Sequence, residues 1–443
     1  MNNSIWKKDA LPHFDRLEGE IRADVLVVGG GIAGILCAYM LSRAGIDCVL
    51  VEQHRLCGGV TGGTTAKITV QHGLIYDKIT RRYGTEAARI YLEAQTRAAV
   101  EYRELCRGIR CDYEERDSYV YLTEDRDRLE REMDAILRIG GECELVDSVP
   151  LPVETVGAIR VPYQGQMDPL AFLGEIAKDL TIYENTRVRE LTEWGALTDG
   201  GRIIAPKTVI ATHYPFLNKT GGYIIKLYQS RSYTIALEGA EDVGGMYIDG
   251  GGKGLSFRNS GDYLLLGGLG HRTGRSGGGW RELEAFAGEY YPSARVRARW
   301  AAQDCMSLDG IPYIGRYSRS TEDLYVITGF NKWGMTSAMV GAMLLADELR
   351  GIDNGWSEVF SPQRSILHRQ LCLNALETAV SLITPTTPRC SHLGCALKYN
   401  REEHSWDCPC HGSRFGEDGE VLDNPATRCK GEMPPRHKET GGE

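Results

Sequence analysis

Apolar runs alternate with a helical pattern near the start of the chain. The run Val25–Val28 leads into a glycine-rich turn at residues 29–34, and a helical pattern then continues to Arg43. A second apolar run, Cys48–Val51, ends in the acidic Glu52. Because short continuous apolar runs are typical of buried parallel strands, this order predicts a strand–turn–helix–strand unit.

The rest of the chain predicts a mixture of helices and strands. Helical patterns occupy residues 76–107, 129–139, 168–179 and 337–349. Alternating or β-branched stretches predict strands at 112–122, 181–191, 202–211 and 223–266. We expect the strands between 181 and 211 to return to the first sheet. The strands of 223–266 are expected to form a separate antiparallel sheet.

The glycine-rich turn has the spacing GxGxxG, which binds dinucleotides when a strand precedes it and a helix follows. We expect Gly29 to make the tight turn, Gly31 to let the backbone approach a pyrophosphate, and Gly34 to let the helix pack on the strand. The helix N-terminus offers N–H groups to the phosphates, and Glu52 can accept hydrogen bonds from a ribose. The expected cofactor-binding residues of this unit are Gly29, Gly31, Ile32, Ala33, Gly34, Glu52 and Gln53.

The same segment has one rival interpretation. Residues 25–41 are uncharged and mostly apolar, which approaches the length of a membrane-spanning helix. The three glycines in the middle and the acidic end of the following strand argue against a membrane span. A signal peptide is not expected, because charged residues are frequent between positions 7 and 20.

Two later segments favour FAD over NAD. Small and hydroxyl residues would wrap a long, flat cofactor closely, and we expect such contacts from Gly59, Thr61, Thr64, Thr65 and Ala66. A second glycine turn precedes the helix at 337–349, and a helix N-terminus suits the electron-rich edge of a flavin ring. The expected residues there are Gly329, Gly334, Met335 and Thr336. A plain glycine turn before a core helix is the alternative. No other GxGxxG turn joins a strand to a helix, so no NAD(P)H domain is expected.

The C-terminal sixty residues contain two short cysteine–histidine pairs. Cys390 and His392 form a CxH pair, and Cys408 and His411 form a CxxH pair. Two thiolates and two imidazoles on two loops suit a Rieske [2Fe–2S] cluster, in which the cysteines hold one iron and the histidines the other. Four such ligands also suit zinc, which is the alternative. A disulfide between Cys395 and Cys410 could join the two loops.

The chain resembles the D-amino acid oxidase-like FAD oxidoreductases, the superfamily of glycine oxidase and sarcosine oxidase. The segments that carry the resemblance are VVGGGIAG, GGTTAKITVQHGLIYDK, IATHYPF, LLLGGLGHRTG, AQDCMSLDGIPYIGRY and TGFNKWGMTSAMVGAMLLADEL. The run CSHLGC…CPCHGSRF resembles the Rieske signature and indicates the subgroup with a C-terminal Rieske domain. The resemblance implies non-covalent FAD, oxidation of a small amine or amino acid, and electron flow through the cluster to an unknown acceptor. It adds Val188, Ala211, Thr212, Asp309 and Gly310 to the expected cofactor-binding residues.

The expected fold class is α/β, or α+β overall. A discontinuous Rossmann-like FAD domain is expected at about 21–75, 145–215 and 300–360, and an antiparallel-sheet substrate domain at about 76–144 and 216–299. These follow a lead-in at 1–20. One amphipathic helix at 364–384, with Ile366, Leu373, Leu376, Val380 and Ile383 on one face, belongs to a linker at 361–388. The short β Rieske-type segment at 389–430 lacks the usual base strands, so its support must come from the flavin part. A tail is expected at 431–443.

Composition excludes some functions. The chain has 443 residues, 42% hydrophobic and 25% charged, which is ordinary for a globular protein of two or three domains. Its net charge of −9 argues against nucleic acid or an anionic membrane as partner. Thirteen cysteines without a secretion signal predict a reducing, cytoplasmic location.

No catalytic residue is assigned from the sequence. Side chains that could touch the substrate are His72, Tyr228, Arg231, His271 and Trp333, and Lys67 and Lys332 could lie near the flavin. Three hypotheses stand: a dehydrogenase that passes electrons through the cluster, a plain oxidase with a vestigial or zinc-bound tail, and a non-enzymatic redox sensor. Peroxide formation would separate the second hypothesis from the first.

Overall fold

The computed structural model describes residues 4–217, 220–251, 254–385, 388–429 and 433. The helices are α1 (Ile32–Arg43), α2 (Tyr76–Tyr83), α3 (Thr85–Cys106), α4 (Arg126–Arg138), α5 (Pro169–Ala177), α6 (Tyr223–Lys226), α7 (Trp280–Tyr290), α8 (Gly334–Leu349), α9 (Ser357–Phe360) and α10 (Arg369–Ile383). The strands are β1 (Gly19–Arg22), β2 (Val25–Val28), β3 (Cys48–Val51), β4 (Lys67–Ile68), β5 (Glu114–Leu122), β6 (Glu144–Val146), β7 (Gly157–Gln166), β8 (Ile182–Tyr183), β9 (Val188–Thr192), β10 (Gly195–Thr198), β11 (Gly201–Ile204), β12 (Lys207–Ile210), β13 (Leu227–Glu238), β14 (Met246–Asp249), β15 (Ser256–Ser260), β16 (Tyr263–Arg272), β17 (Arg295–Ser307), β18 (Tyr313–Ser318), β19 (Thr321–Thr328), β20 (Lys398–Asn400), β21 (Ser405–Asp407), β22 (Arg414–Phe415) and β23 (Val421–Asp423).

A six-stranded sheet forms the first layer, in the order β18-β19-β12-β2-β3-β8. Its strands are parallel except for β18, which is antiparallel to β19. Every residue of β2 and β3 is buried, and α1 and α8 pack against each other beside the sheet. This burial explains the uninterrupted apolar runs, because helices and neighbouring chain cover both faces of a parallel sheet.

A nine-stranded, mostly antiparallel sheet forms the second layer. Its order is β17-β13-β16-β15-β14-β5-β7-β4, and β6 pairs with β7. The long strands β13 and β17 pair from Leu227↔Ser307 to Glu238↔Arg295. A smaller sheet, β1-β11-β10-β9, flanks the first layer.

The C-terminal segment forms a small antiparallel sheet in the order β20-β21-β22-β23. It packs its own apolar cluster, which includes Cys395, Leu397, Cys408 and Phe415. The two ligand loops lie before β20 and between β21 and β22. β20 to β23 are the strands that the structure describes within residues 388–429.

The sheet pairing differs from the predicted division in several places. β6, β7 and β17 belong to the nine-stranded sheet, although residues 145–215 and 300–360 were assigned to the FAD domain. β9 and β11 join the small flanking sheet, whereas β8 and β12 return to the first sheet as expected. The predicted helix at 76–107 is interrupted at Gly84, whose φ of +90° is incompatible with a continuous helix.

The linker helix also differs from its prediction. It begins at Arg369, so Ile366 lies outside it, and its apolar side chains face outward. The predicted tail at 431–443 lies outside the described residues except for position 433. Among the ranges described above, no helix is long and apolar enough to cross a membrane.

Candidate functional site

The carboxyl ends of the parallel strands open into one large cavity. Gly29 follows β2, Glu52 follows β3, Ala211 follows β12 and Gly329 follows β19, and all four line it. The cavity has a volume of about 1920 Å³. That exceeds the roughly 300–1,000 Å³ typical of sites for drug-sized ligands, so it has room for a dinucleotide with a small substrate. The position agrees with the rule that ligands of parallel sheets bind beyond the strand ends.

Gly29 and Gly34 of the first glycine turn have no room for a side chain. A Cβ on Gly34 would lie 1.8 Å from the carbonyl oxygen of Gly29, so α1 packs directly on the end of β2. A Cβ on Gly29, whose φ is +114°, would lie 2.6 Å from the carbonyl oxygen of Ala211. A Cβ on Gly31 would lie 3.1 Å from Thr61 Oγ1 and fill the surface where a phosphate would approach. This cradle fits the pyrophosphate of FAD.

Glu52 lies across the beginning of α1. Its carboxylate accepts hydrogen bonds from the backbone N–H of Gly30 at 2.7 Å and of His54 at 2.9 Å. Burial raises the pKa of Glu52, and these donors oppose that shift. A buried carboxylate at the cavity edge suits a ribose hydroxyl as a further donor.

Most of the predicted cofactor-binding residues line the cavity: Gly29, Gly31, Ile32, Ala33, Glu52, Gln53, Gly59, Thr61, Thr64, Thr65, Val188, Ala211, Thr212, Gly329, Gly334 and Met335. Gly34, Ala66 and Thr336 lie behind its wall. The Thr336 hydroxyl is 3.0 Å from a ring nitrogen of the buried His72 and 3.3 Å from the carbonyl oxygen of Thr69.

Asp309 and Gly310 do not line the cavity, so their predicted place beside the flavin needs correction. Both Asp309 carboxylate oxygens accept hydrogen bonds from Arg364, at 2.7 and 2.8 Å, and Tyr83 donates at 2.8 Å. Burial alone would raise the pKa of Asp309, but the Arg364 guanidinium holds it well below its usual range. This aspartate therefore fixes the chain that follows β17.

The second glycine turn brings α8 to the cavity. Trp333 and Gly334 line it at the beginning of α8, and the Trp333 ring stacks on His72 with centroids 4.9 Å apart. Opposite them, the Lys67 ammonium donates to Thr65 Oγ1 at 3.2 Å. Burial lowers the pKa of Lys67 to about 7, and the nearby Arg258 charge acts in the same direction.

The nine-stranded sheet supplies the opposite wall. Asp304 of β17 lines the cavity together with Lys332 and His213. Burial raises the pKa of Asp304, and the Lys332 and His213 charges oppose that shift. The sequence interpretation missed Asp304 and His213. Strand alternation could have located Asp304, because Ala302 and Asp304 face the cavity while Cys305 is buried on the other side.

Three other predicted substrate residues have structural partners. Arg231 donates to Glu403 of the C-terminal segment at 2.6 Å. Tyr228 lies beneath the Arg272 guanidinium, 4.9 Å from its ring centroid. His271 stacks on Tyr233 with centroids 5.8 Å apart. None of Arg231, Tyr228 and His271 lines the cavity.

The predicted metal ligands come together at the small C-terminal sheet. Cys390, Cys408 and His411 are buried and His392 is half-buried, and the two imidazole centroids are 5.0 Å apart at 89°. His411 Nε2 lies 3.0 Å from the carbonyl oxygen of Ile224, which accepts its N–H, whereas its buried Nδ1 has no partner among the described residues. A hydrogen bond at one ring nitrogen directs the other toward a metal, so this residue fits a cluster ligand.

The thiols of the segment are crowded. The Sγ atoms of Cys395, Cys408 and Cys410 lie within 4.8 Å of one another, and all three are free thiols. The Cys390 thiol lies beside Cys408 and accepts the His392 backbone N–H at 3.4 Å, and these contacts lower its pKa to about 7. A disulfide between Cys395 and Cys410 stays a prediction.

The flavin part holds the ligand loop where base strands would otherwise be expected. Gln229 of β13 donates to the carbonyl oxygens of His411 at 2.9 Å and Asn424 at 3.0 Å. Gln303 of β17 donates to the carbonyl oxygen of Gly412 at 2.9 Å. Arg272 of β16 donates to the carbonyl oxygen of Pro409 at 2.7 Å. Three adjacent strands of the nine-stranded sheet thus form the floor of the loop.

A buried charge network strengthens this contact. The Arg414 guanidinium contacts Asp407 at 3.0 Å, Glu403 at 2.9 Å and Asp423 at 2.9 Å. Arg231 of β13 also pairs with Glu403. Each carboxylate in the network contacts an arginine, which offsets much of the cost of burying these charges.

The C-terminal segment also forms part of the cavity wall. Residues 420–424 and 426–429 line the same cavity as the glycine turn. Asn424 donates from its side chain to the carbonyl oxygens of Thr212 and Tyr214, each at 3.1 Å. The C-terminal segment therefore contributes both the ligand loops and a part of the cavity wall.

Comparisons with known proteins agree with this geometry. A family model described as DAO, FAD dependent oxidoreductase, matches residues 24–348, and a Rieske [2Fe-2S] domain model matches 378–434. YhfW of Bacillus subtilis (strain 168), named as a Rieske 2Fe-2S iron-sulfur protein, is 30% identical over 491 residues, covering 96% of each chain. The gamma-glutamylputrescine oxidoreductase of Escherichia coli (strain K12) is 29% identical over 189 residues, covering 40% of this chain and 44% of that relative.

Glycine oxidase from Geobacillus kaustophilus has a similar fold, with a TM-score of 0.66 at 20% identity over 78% of this chain and 99% of that chain. The chain therefore belongs to the DAO family of FAD-dependent oxidoreductases and carries a Rieske domain, so that its cofactors are FAD and a [2Fe–2S] cluster.

Proposed function

We propose that the protein oxidises a small amine or amino acid and passes the electrons through its C-terminal metal centre to an external acceptor. The observation that carries this proposal is the shared wall, because residues 420–424 and 426–429 line the cavity and also belong to the segment with the ligand loops. When bound, FAD accepts a hydride from the substrate carbon and the cluster accepts electrons singly.

The proposed substrate class rests on the cavity and on the relatives. Asp304 and Lys332 offer opposite charges in one cavity, so they suit the ammonium and carboxylate groups of an amino acid. The names of the relatives refer to an amine conjugate, gamma-glutamylputrescine, and to an amino acid, glycine. We assign Asp304 and Lys332 to substrate binding and orientation.

The proposed FAD-binding residues are the predicted ones that line the cavity. The turn from Gly29 to Ala33 would receive the pyrophosphate on the N–H groups of α1. Glu52 would hold the ribose. The beginning of α8, at Gly334 and Met335, would face the electron-rich edge of the flavin, where its positive dipole end stabilises added negative charge.

The proposed cluster ligands are Cys390, His392, Cys408 and His411. Ile224 fixes the orientation of the His411 ring. Between His411 and the cavity, Gln229 contacts the His411 and Asn424 carbonyl groups, and Asn424 contacts Thr212. These hydrogen bonds connect the ligand loop with the cavity wall.

The test is anaerobic mixing of the purified holoprotein with a panel of amines and amino acids. Flavin absorbance and low-temperature electron paramagnetic resonance are followed together. We expect one substrate to bleach the flavin and to produce the signal of a reduced histidine-ligated [2Fe–2S] cluster. Cys390→Ser, which removes a proposed ligand, should keep flavin bleaching and lose the cluster signal.

Cys143→Ser is the matched control, because Cys143 is half-buried, lies outside the C-terminal segment and is not a proposed ligand. It should behave as the native protein. Flavin bleaching with an unreduced cluster and stoichiometric peroxide would contradict the relay and favour a plain oxidase. Zinc in place of iron in the purified protein would also contradict the relay and favour a plain oxidase. Absence of bleaching with every amine, together with tight binding to a partner protein, would favour a redox sensor.

The location of the protein is a separate proposal. We propose that the protein is located in the cytoplasm, because no disulfide joins the cysteines that the structure describes and this suits a reducing compartment. Measuring the protein in fractionated cells would test this proposal.

A further inference from the structure

Helix α10 is docked by its polar face and presents its apolar face outward. Asn374, Glu377 and Ser381 are buried. Leu376 and Ile383, in contrast, are 61% and 80% exposed. A helix on a globular surface normally has the opposite orientation, so this one calls for a physical explanation.

Specific partners fix this orientation. Asn374 Oδ1 accepts a hydrogen bond of 2.9 Å from Arg272, and Glu377 forms an ion pair with Arg275. The carbonyl oxygen of Ser381 accepts the Ala396 backbone N–H at 3.0 Å. The buried side of α10 is therefore attached both to the end of β16 and to the first ligand loop.

The exposed side of α10 contains no charged or polar residue between positions 372 and 383. Its exposed residues are Cys372, Leu373, Ala375, Leu376, Ala379, Val380, Leu382 and Ile383. We call this set the α10 face. An apolar patch of this kind on a folded protein marks an interaction surface.

The spacing within the α10 face suits another helix. Leu373, Leu376, Val380 and Ile383 are separated by three, four and three residues, which is the a/d spacing of helices that pack knobs into holes. Ala375 and Ala379 flank this row, and small side chains let a second helix approach closely.

We propose that the α10 face binds the α10 face of a second copy of this chain and forms a two-fold dimer. In a two-fold contact each face meets itself, so like charges opposite one another would oppose association. The α10 face carries none, and its row of aliphatic side chains is self-complementary. A transient redox partner is less well matched, because charges usually steer such encounters and their interfaces are small.

The surroundings of α10 provide additional apolar area. A stable interface needs about 800 Å² from each partner, which is more than one short helix supplies. Leu367, before the helix, is 79% exposed, and Leu393, in the first ligand loop, is 40% exposed. Arg389 ties this loop to α10 through the carbonyl oxygens of Leu382 at 2.9 Å and Gly394 at 3.0 Å. The interface would therefore extend to the residue that follows His392.

Sedimentation velocity of the full-length holoprotein over a concentration series tests the proposal. We expect a species of twice the chain mass of 49.1 kDa. Leu376→Glu and Val380→Glu, measured separately, should weaken dimerisation at least tenfold and yield monomers. Leu137→Glu is the matched control, since Leu137 is 49% exposed on α4, and it should remain dimeric.

The flavin-to-protein ratio and the thermal midpoint establish that each variant is folded. If a glutamate variant fails to fold, the milder Leu376→Ser replaces it, with a smaller shift toward monomer expected. A monomeric native protein at all concentrations overturns the proposal. So does a dimer that folded α10 variants leave intact. Loss of binding to lipid vesicles or to an electron acceptor in the variants, with a monomeric native protein, would assign the face to that other partner.

Discussion

The Gln229 side-chain amide donates a hydrogen bond of 2.9 Å to the carbonyl oxygen of His411. This contact joins the nine-stranded sheet to a proposed cluster ligand across 182 positions of sequence. It shows how a cluster-binding segment without its own base strands obtains a rigid floor.

Gln229→Leu should loosen the ligand loop. It would leave the carbonyl oxygens of His411 and Asn424 without this donor, at a cost of about 1–3 kcal/mol for each buried group left unsatisfied. We expect less iron per chain and a lower thermal midpoint. Gln71→Leu is the control, because Gln71 is equally buried but donates to Ile159. Gln71→Leu should lower the thermal midpoint and leave the iron content unchanged. Equal loss of iron in both variants would contradict the role of Gln229.

Gly34→Ala should abolish FAD retention. The added methyl group would lie 1.8 Å from the Gly29 carbonyl oxygen, so α1 must move away from β2. Overpacking of this kind costs about 3 kcal/mol. Gly288→Ala is the matched control, since a Cβ there meets nothing within 4 Å. The flavin-to-protein ratio distinguishes the two variants, and a flavin-replete Gly34→Ala protein would show that the turn does not hold the cofactor.

Asp309→Asn tests whether this residue contacts the flavin or fixes the chain. Both carboxylate oxygens of Asp309 accept hydrogen bonds from Arg364. We therefore expect the variant to have a lower thermal midpoint and an unchanged visible flavin spectrum. Arg364→Met should destabilise the protein more, by about 3–5 kcal/mol in the free energy of unfolding, because it leaves a buried carboxylate unpaired. A shifted flavin spectrum in Asp309→Asn would restore the contact that the sequence predicted.

Glu132 should make stability depend on pH. It accepts the backbone N–H groups of Tyr76 at 2.9 Å and Asp77 at 2.8 Å, and burial raises its pKa to about 7. Because the pKa of Glu132 is higher in the folded state than in the unfolded state, Glu132 contributes to the free energy of unfolding. That contribution is fully present below about pH 4.3 and is lost as the pH rises through about 7.

Glu132→Gln removes that titration. Relative to the variant, the native protein should therefore lose about 3 kcal/mol between pH 4.5 and 7.5, since each pKa unit is worth about 1.4 kcal/mol. Apparent thermal midpoints of both proteins across this range provide the measurement. A constant difference between the two proteins would show that Glu132 does not titrate there.

Local sequence was sufficient to predict the glycine turn between β2 and α1. Gly34 meets Gly29, five positions away, but the contact of Gly29 with Ala211 comes from a distant part of the chain that the spacing of the glycines did not reveal. The short ligand loops around Cys390 and Cys408 were predictable because the residues of each pair are close together in the sequence. The small number of residues between the linker helix and Cys390 left no room for base strands.

Long-range pairing was not predictable from one sequence. Asp309 turns to Arg364, 55 positions away, rather than to the cavity. Periodicity identified the apolar row of α10 but not the side on which this row lies. The partners of the buried side of α10, Arg272 at the end of β16 and Arg275 in the turn after it, are about a hundred positions away in the sequence. Asp304 was missed because a single acid in a long strand has no motif of its own.

The wall formed by residues 420–429 has a consequence for how the protein is made and maintained. The turn at Gly29 leaves the ribosome early, whereas the wall that closes its cavity is translated near the end. The cavity wall is therefore complete only after the C-terminal segment has been synthesised and Asn424 has met Thr212 and Tyr214. A chain that ended before residue 420 would keep the turn at Gly29 but would leave that side of the cavity open to solvent.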